Sequence, residues 1–119
     1  MDSRTASTVR AKIEAAHKLL FPLAEAVNTA MSELDDAIGL ASDTVDSAES
    51  HAEDLDLMAT TPAEHVQLKA ARTHVGALEE LKSQLELLHS SAEQAHTYIE
   101  ETSSLYDASV EALDQIATT

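Results

Sequence analysis

Three Glu-x-x-His motifs have the residue types and the spacing best suited to chemistry in this sequence. Residues three apart share one face of a helix, so each pair could give two ligands to one metal ion. Two such motifs on different helices, completed by further carboxylates, form the ligand set of di-iron carboxylate bundles. The candidate metal ligands are Glu14, His17, Glu86, His89, Glu93 and His96.

The predicted position of these motifs on their helices argues against a metal site. The apolar residues around the last two motifs predict a buried seam that contains Leu85, Leu88, Ala92 and Ala95. That seam places the Glu and His side chains on flanking, solvated positions, whereas metal sites in helical bundles point inward. We therefore interpret the motifs as surface Glu–His pairs, and we predict no metal site and no cofactor.

The sequence offers no residues for other common kinds of catalysis. It has no Cys for a thiolate nucleophile or a zinc site, and none of its serines lies in a nucleophile-elbow motif. Its two glycines do not form a phosphate-binding loop, and with one Phe, two Tyr and no Trp it has little with which to line a pocket. We therefore predict that the protein is not an enzyme.

The chain is strongly acidic, with 22 Asp and Glu residues against 7 Lys and Arg residues and a formal net charge of −15. Nucleic-acid phosphates and anionic membranes need clustered basic residues, so we expect no direct binding to nucleic acid or to a membrane. The longest apolar run, Leu19–Ala24, is too short to cross a bilayer. Residues 1–12 lack the apolar stretch of a signal peptide, so the expected location is the cytoplasm, with export without a leader as the alternative.

The first half of the sequence predicts one long helix over about residues 8–57. Apolar or small residues recur there with heptad spacing, and the predicted N-cap is Ser7 or Thr8. The spacing slips by one step across Leu34–Ile38. Pro22 lies inside this run and predicts a kink near Lys18–Phe21, because proline cannot donate the helical hydrogen bond.

The second half predicts another long helix over about residues 62–117, after a turn at about 58–61. Thr61 is the predicted N-cap, Pro62 suits the first helical position, and Glu64 completes a capping box. The apolar seam of this helix contains two consecutive steps of three near Leu81. Ser103-Ser104 marks an alternative break into a separate short helix.

A short turn between two long helices predicts an antiparallel hairpin that resembles a coiled coil. With the pivot near Thr60, residue n faces approximately residue 120 − n. This register brings Phe21 beside Tyr98 and gives the basic residues of the first helix acidic neighbours. The predicted neighbours of Arg10, Lys12 and Lys18 are Glu111, Asp107 and Glu101.

The apolar stripe is wider than a simple two-helix seam requires, because Leu19, Ala24, Ala77 and Leu87 extend it. Such a width is typical of bundles of three or four helices. The fold class predicted from the sequence is therefore all-α: a single helical domain whose hairpin dimerises into a four-helix bundle. The alternative is a three-helix bundle formed by folding back at Pro22 or Ser103.

These patterns favour a structural or protein–protein interaction role without catalysis, with a protein partner or a second copy in a homodimer. The residues expected to form the core or the interface are Ile13, Leu20, Leu23, Val27, Leu34, Ile38, Val75, Leu78, Leu85, Leu88 and Ile99. One alternative is an acidic regulator that mimics nucleic acid, because the stretch Glu33–Asp56 has nine acidic residues and no basic one. Two further alternatives are a metal-binding helical bundle and a secreted helical-hairpin protein that lacks a leader.

Overall fold

The computed structural model describes residues 2–118, and within that range every regular element is an α-helix. The helices are α1 (Ser3–Lys18), α2 (Leu20–Met58) and α3 (Pro62–Thr118). Ala, Leu and Glu, which lose little rotamer freedom in a helix, dominate these segments, and only two Gly and two Pro interrupt them. The all-α prediction is confirmed.

The first helix starts earlier than predicted. Asp2 is its N-cap, and the Asp2 carboxylate accepts a hydrogen bond of 2.7 Å from the backbone N–H of Thr5. This bond is the largest cause of the lowered pKa of Asp2. The predicted caps, Ser7 and Thr8, lie inside α1 instead. A carboxylate at the positive end of the helix dipole is a stronger cap than a hydroxyl, so the helix begins at the first position that offers one.

A single turn residue, Leu19, separates α1 from α2. The N–H of Leu19 donates to the carbonyl of Ala16 at 3.2 Å, which is the tighter hydrogen-bonding pattern of a 3₁₀ turn. Pro22 has no N–H, so the carbonyl of Lys18 loses its regular helical donor. The interruption therefore falls within the segment where the sequence predicted a kink.

The third helix begins with the predicted capping box, which is confirmed. The N–H of Glu64 donates to the Thr61 hydroxyl at 3.2 Å, and that hydroxyl donates to the Glu64 carboxylate at 2.9 Å. Pro62 is the first residue of α3. The helix continues without a break through Ser103 and Ser104, so the alternative of a separate short helix there is not observed.

The chain divides into two compact units. Unit 1 is Met1–Met31 with Ser91–Thr119, and unit 2 is Ser32–Ser90. In unit 2, the end of α2 and the start of α3 form an antiparallel helical hairpin around the turn at residues 59–61. In unit 1, α1 and the start of α2 lie antiparallel to the end of α3, as the contact between His17 and Ser103 shows.

A regular heptad seam lies between the helices of each unit. Among the residues whose side chains the structure describes, Ala6, Val45, Ala52, Leu68 and Leu113 alone are buried, and the remaining seam residues are half-buried. The seam positions of α1 and α2 are Ala6, Arg10, Ile13, His17, Leu20, Ala24, Val27, Met31, Leu34, Ile38, Ala41, Val45, Ala48, Ala52 and Leu55. Those of α3 are Leu68, Ala71, Val75, Leu78, Lys82, Leu85, His89, Ala92, His96, Ile99, Ser103, Tyr106, Val110 and Leu113. Steps of four and three alternate throughout both sets.

This seam differs from the predicted one along the whole segment before Leu34 and the whole segment after Leu78. No slip occurs at Leu34–Ile38, so every second seam position before Leu34 lies one residue later than predicted, as Ala24 does in place of Leu23. The same shift applies in α3, where Lys82, His89 and His96 take seam positions instead of Leu81, Leu88 and Ala95. A helix keeps one face toward its partner only if the 3.5-residue period is maintained, and long polar side chains tolerate such positions by extending their polar ends outward.

The contacts between the helices also shift from the predicted register. Arg10 pairs with Asp114 rather than Glu111, and Arg72 pairs with Asp56. Each side chain tilts toward the N-terminus of its own helix. In an antiparallel pair, the residue numbers of two contacting side chains therefore add up to a larger sum than the residue numbers of two facing Cα atoms. The contacts of Arg10, His17 and His89 with carboxylates each sum to 124, and that of Arg72 with Asp56 sums to 128, whereas the contact of His17 with Ser103 keeps the predicted sum of 120.

The aromatic cluster forms around a histidine instead of Tyr98. The His17 ring lies 5.4 Å from the Phe21 ring and stacks on the Tyr106 ring at 5.5 Å. Tyr98 is exposed and accepts a hydrogen bond from Gln94 on its own helix. The prediction that Phe21 lies beside Tyr98 was therefore wrong.

Candidate interaction surface

Several basic side chains in the seam reach carboxylates on the same side of it. Arg10 reaches Asp114, His17 Nδ1 lies 4.0 Å from Asp107 Oδ1, and His89 Nε2 lies 3.0 Å from Asp35 Oδ1. Each carboxylate that they reach lies four residues after a seam residue of its own helix: Asp35 after Met31, Asp107 after Ser103 and Asp114 after Val110. We call this side the acidic flank. Its acidic residues are Glu14, Glu93, Glu100, Asp107 and Asp114 in unit 1 and Asp35, Glu49, Asp56, Glu79 and Glu86 in unit 2.

Two carboxyl groups of the acidic flank touch each other in unit 2. The pKa of Glu49 is raised, first by a hydrogen bond with the Glu79 carboxyl, then by partial burial and by repulsion from Glu79, Asp46 and Glu53. An open groove beside them is lined by acidic side chains and Arg72. Such a concentration of like charge stabilises no apolar contact, so this side of the unit is suited to face water.

The opposite side of the seam carries no charged residue, and we call it the apolar flank. Seven-residue spacing defines it, because residues seven apart lie on the same face of a heptad helix. In unit 1 it consists of Val9, Ala16, Leu23, Ala30, Ala95, Thr102, Ser109 and Ile116. In unit 2 it consists of Ala37, Thr44, His51, Met58, Gln67, His74, Leu81 and Leu88. None of these positions is Asp, Glu, Lys or Arg, whereas five of the eight equivalent positions on the acidic flank of each unit are acidic.

Large side chains on the apolar flank are about half exposed to solvent. Leu23 is 52% exposed, Leu81 51% and Leu88 56%. We call the heptad position next to this flank, on its side away from the seam, the rim. The rim adds Leu19, Leu40, Tyr98 and Leu105, all exposed. Most of the exposed large apolar side chains of the described residues therefore lie on one flank and its rim. A concentration of exposed large apolar side chains on one face of each unit makes that face a candidate interaction site.

The accessible surface of the chain exceeds that of a compact globular monomer of the same mass. The accessible surface is 8360 Å² for a chain of 12.7 kDa. A compact monomer of that mass exposes about 6,200 Å² by the usual scaling of surface with mass. The excess of about 2,000 Å² is comparable to the surface that stable protein interfaces bury.

The candidate metal ligands do not converge. His17, His89 and His96 lie in the seam, while Glu14, Glu86 and Glu93 lie exposed on the acidic flank. Within residues 2–118 no group of three or more His, Asp or Glu side chains could hold a metal ion. The histidines contact other carboxylates instead, as His96 does with Glu100 at 3.4 Å.

Ser103, His17 and Asp107 occur in the order of a catalytic triad. His17 Nε2 lies 2.7 Å from Ser103 Oγ, and His17 Nδ1 lies 4.0 Å from Asp107. The second distance is too long for a hydrogen bond that would orient the base. Ser103 is also in the middle of α3, where backbone N–H groups are committed to the helix and cannot form an oxyanion hole. The arrangement is better explained as a polar layer of the seam that satisfies His17.

The predicted core and interface residues divide into two groups. Ile13, Leu20, Val27, Leu34, Ile38, Val75, Leu78, Leu85 and Ile99 occupy the seam and are half-buried. Leu23 and Leu88 lie outside it on the apolar flank. The flanks were not separated in the sequence analysis, although the signal was present: every seventh residue through Leu81 and Leu88 is uncharged, and every seventh residue from Glu79 to Asp114 is acidic.

Comparisons with protein-family models, with curated proteins and with solved structures found no match to this chain. Among the described residues, no helix has the length and apolar character needed to cross a membrane. The functional interpretation therefore rests on the two flanks.

Proposed function

We propose that this chain is a non-catalytic structural or protein–protein interaction module that acts by burying its apolar flank against another helical surface. The first partner is a second copy, so that two chains form a homodimeric four-helix bundle in the cytoplasm. The observation that carries the proposal is an apolar flank without a single charge, with half-exposed Leu23, Leu81 and Leu88.

Burial of the half-exposed leucines supplies part of the driving force. Complete burial of a Leu side chain is worth about 1.5–3 kcal/mol, so the remaining half of each leucine is worth about 1 kcal/mol. Leu23, Leu81 and Leu88 of both chains would together contribute on the order of 6 kcal/mol before the entropic cost of association. Rim residues and the flanking alanines add to this contact.

The charge distribution supports self-association in spite of the net charge of −15. Two chains that meet through their apolar flanks keep their acidic flanks on the outside, where water and counterions screen the carboxylates. The same acidic surface keeps the assembled dimer soluble and opposes the addition of further copies.

A pair of adjacent leucines tests the proposal. Leu88 is on the apolar flank and is 56% exposed, whereas Leu87 is 61% exposed and faces away from both the seam and the flank. Leu88→Glu should weaken the dimer about a hundredfold or more, because it forces a carboxylate into the interface of both chains. Leu87→Glu makes the same chemical change outside the interface and should leave the dissociation constant unchanged.

Both variants should keep their helical circular dichroism, because neither residue is buried in the chain. The dissociation constant is measured by sedimentation equilibrium. Equal effects of Leu88→Glu and Leu87→Glu would contradict the assignment of the apolar flank as the interface.

The acidic flank favours a second candidate function, binding of a basic protein partner. Ten acidic residues on one side of the seam provide a negative surface that resembles a phosphate backbone in charge. Polylysine is a suitable probe, since binding through this flank should decline steeply as salt increases. Replacing Glu93, Glu100 and Asp107 by their amides should weaken that binding without changing the mass of the dimer. Binding that is insensitive to these changes would remove this candidate.

A further inference from the structure

We infer that the two copies dock with their interhelical turns at the same end, so that α3 of each copy faces α1 and α2 of the other. This inference rests on the proposed homodimer and specifies which helices meet. A two-fold axis parallel to the helices relates the copies, and each unit then meets the same unit of the second copy. The alternative is an axis perpendicular to the helices, which sets α3 against α3 and α2 against α2.

Large and small residues alternate across the apolar flank of unit 2. Side chains that face each other in this unit sum to about 124, as His89 and Asp35 do. Leu81 therefore lies at the level of Thr44, and Leu88 lies at the level of Ala37. With the turns at one end, Leu81 and Leu88 of one copy meet the small residues Thr44 and Ala37 of the second copy. A large side chain against small ones fills an interface without gaps or overlap.

In unit 1 a large residue also lies at the level of a small one, but here the large residue is on α2 and the small residue is on α3. The contacts of Arg10 with Asp114 and of His17 with Asp107 also sum to 124. The large residue is now Leu23 of α2, and the smaller Thr102 of α3 lies at its level. The two units thus place their leucines on opposite helices, and in each unit the facing positions are small.

The opposite orientation loses this complementarity. With its axis between the levels of Leu81 and Leu88, it places the α3 leucines of the two copies against each other and sets Ala37 against Thr44 beside them, which crowds one side of the interface and leaves a gap on the other. It also brings the rims of α2 together, so Glu33 and Asp54 of both copies share one side of the dimer. The rim positions of α3 are uncharged: Ala70, Ala77, Gln84, Ser91, Tyr98, Leu105 and Ala112. When the turns lie at the same end, the rim of α2 faces the uncharged rim of α3, so this repulsion is absent.

The turn offers a direct test, because the chain has no Cys and Thr60 is exposed. A nitroxide spin label on Thr60→Cys reports the distance between the two turns by pulsed electron resonance. Neighbouring helices in a bundle are about 10 Å apart, so turns at the same end should give a label separation of roughly 20–30 Å. In the opposite orientation the separation exceeds about 40 Å, the length of the segment from Pro62 to Ser90 at 1.5 Å per residue.

The same labelled sample separates failure of this inference from failure of the proposed function. Its mass is measured before the distance. A labelled dimer with the short separation supports the inference, and a labelled dimer with only the long separation overturns it while leaving the dimer intact. If the labelled chain and the unlabelled chain are both monomeric, the result overturns both the proposed homodimer and the inference.

Discussion

Individual side chains decide which side of each helix pair faces water. His17 and Arg10 occupy seam positions, yet both extend to the acidic flank, because their polar atoms find carboxylates only there. Polar residues at seam positions lower stability but fix the register of a helix pair, since a shifted pairing would leave them without partners. The contact of His17 with Ser103 fills this role in unit 1.

The touching carboxyl groups of Glu49 and Glu79 have a measurable cost. The pKa of Glu49 is raised above its ordinary value of 4.5 by its hydrogen bond with Glu79. A group whose pKa is raised by folding favours the folded state below its ordinary pKa, and that contribution is lost as the pH rises through the raised value. The free energy of unfolding should therefore fall as the pH increases above about 4.5.

Glu79→Gln should reduce this loss of stability. The Gln amide can donate a hydrogen bond to an ionised Glu49, and it removes the nearest repelling charge. We expect a higher melting temperature at pH 7 and a smaller change in melting temperature between pH 4.5 and 7 than in the unaltered chain. Glu86→Gln, which neutralises another exposed carboxylate of the same flank, is the control and should retain the larger pH dependence. Identical pH profiles for the two variants would contradict the pairing of Glu49 with Glu79.

At the scale of the elements, helix ends were predictable where a short motif defines them. The Thr61–Glu64 capping box is a local pattern and occurs in the structure as expected. The start of α1 was missed because Asp2 caps a first turn rich in Ser and Thr, whose weak helix propensity suggested a later start. The regular seam was missed at Lys82 and His89 because hydrophobicity alone does not show that a polar side chain can extend from the seam to a carboxylate.

Removal of the α3 cap should destabilise unit 2. Thr61→Ala takes away the acceptor for the Glu64 N–H and should lower the free energy of unfolding by about 1 kcal/mol. Thr60→Ala is the control, because the Thr60 hydroxyl makes only a long contact of 3.4 Å with Glu64 and should cost much less. Urea denaturation followed by circular dichroism measures both. Equal losses from Thr61→Ala and Thr60→Ala would show that the capping box is not the source of stability.

At the scale of the whole molecule, the arrangement of charges and apolar residues accounts for the proposed role. The all-α fold follows from the sequence because heptad spacing and scarce turn residues allow little else. The interaction surface did not follow, because it depends on which neighbour of each seam position faces outward, and two doubtful steps at Leu34–Ile38 and Leu81 reassigned that neighbour. Once burial fixes the seam, the uncharged and acidic positions separate onto opposite flanks.

Self-association through the apolar flank is best tested by the absolute mass in solution, measured by light scattering after size exclusion at low and at high salt. The chain mass is 12.7 kDa, so we expect a particle of about 25 kDa, twice that value. High salt should strengthen the dimer, because it screens the repulsion between two chains of charge −15 and leaves the apolar contact in place. A particle of 12.7 kDa at both salt concentrations and at protein concentrations up to about 100 μM would contradict self-association through the apolar flank.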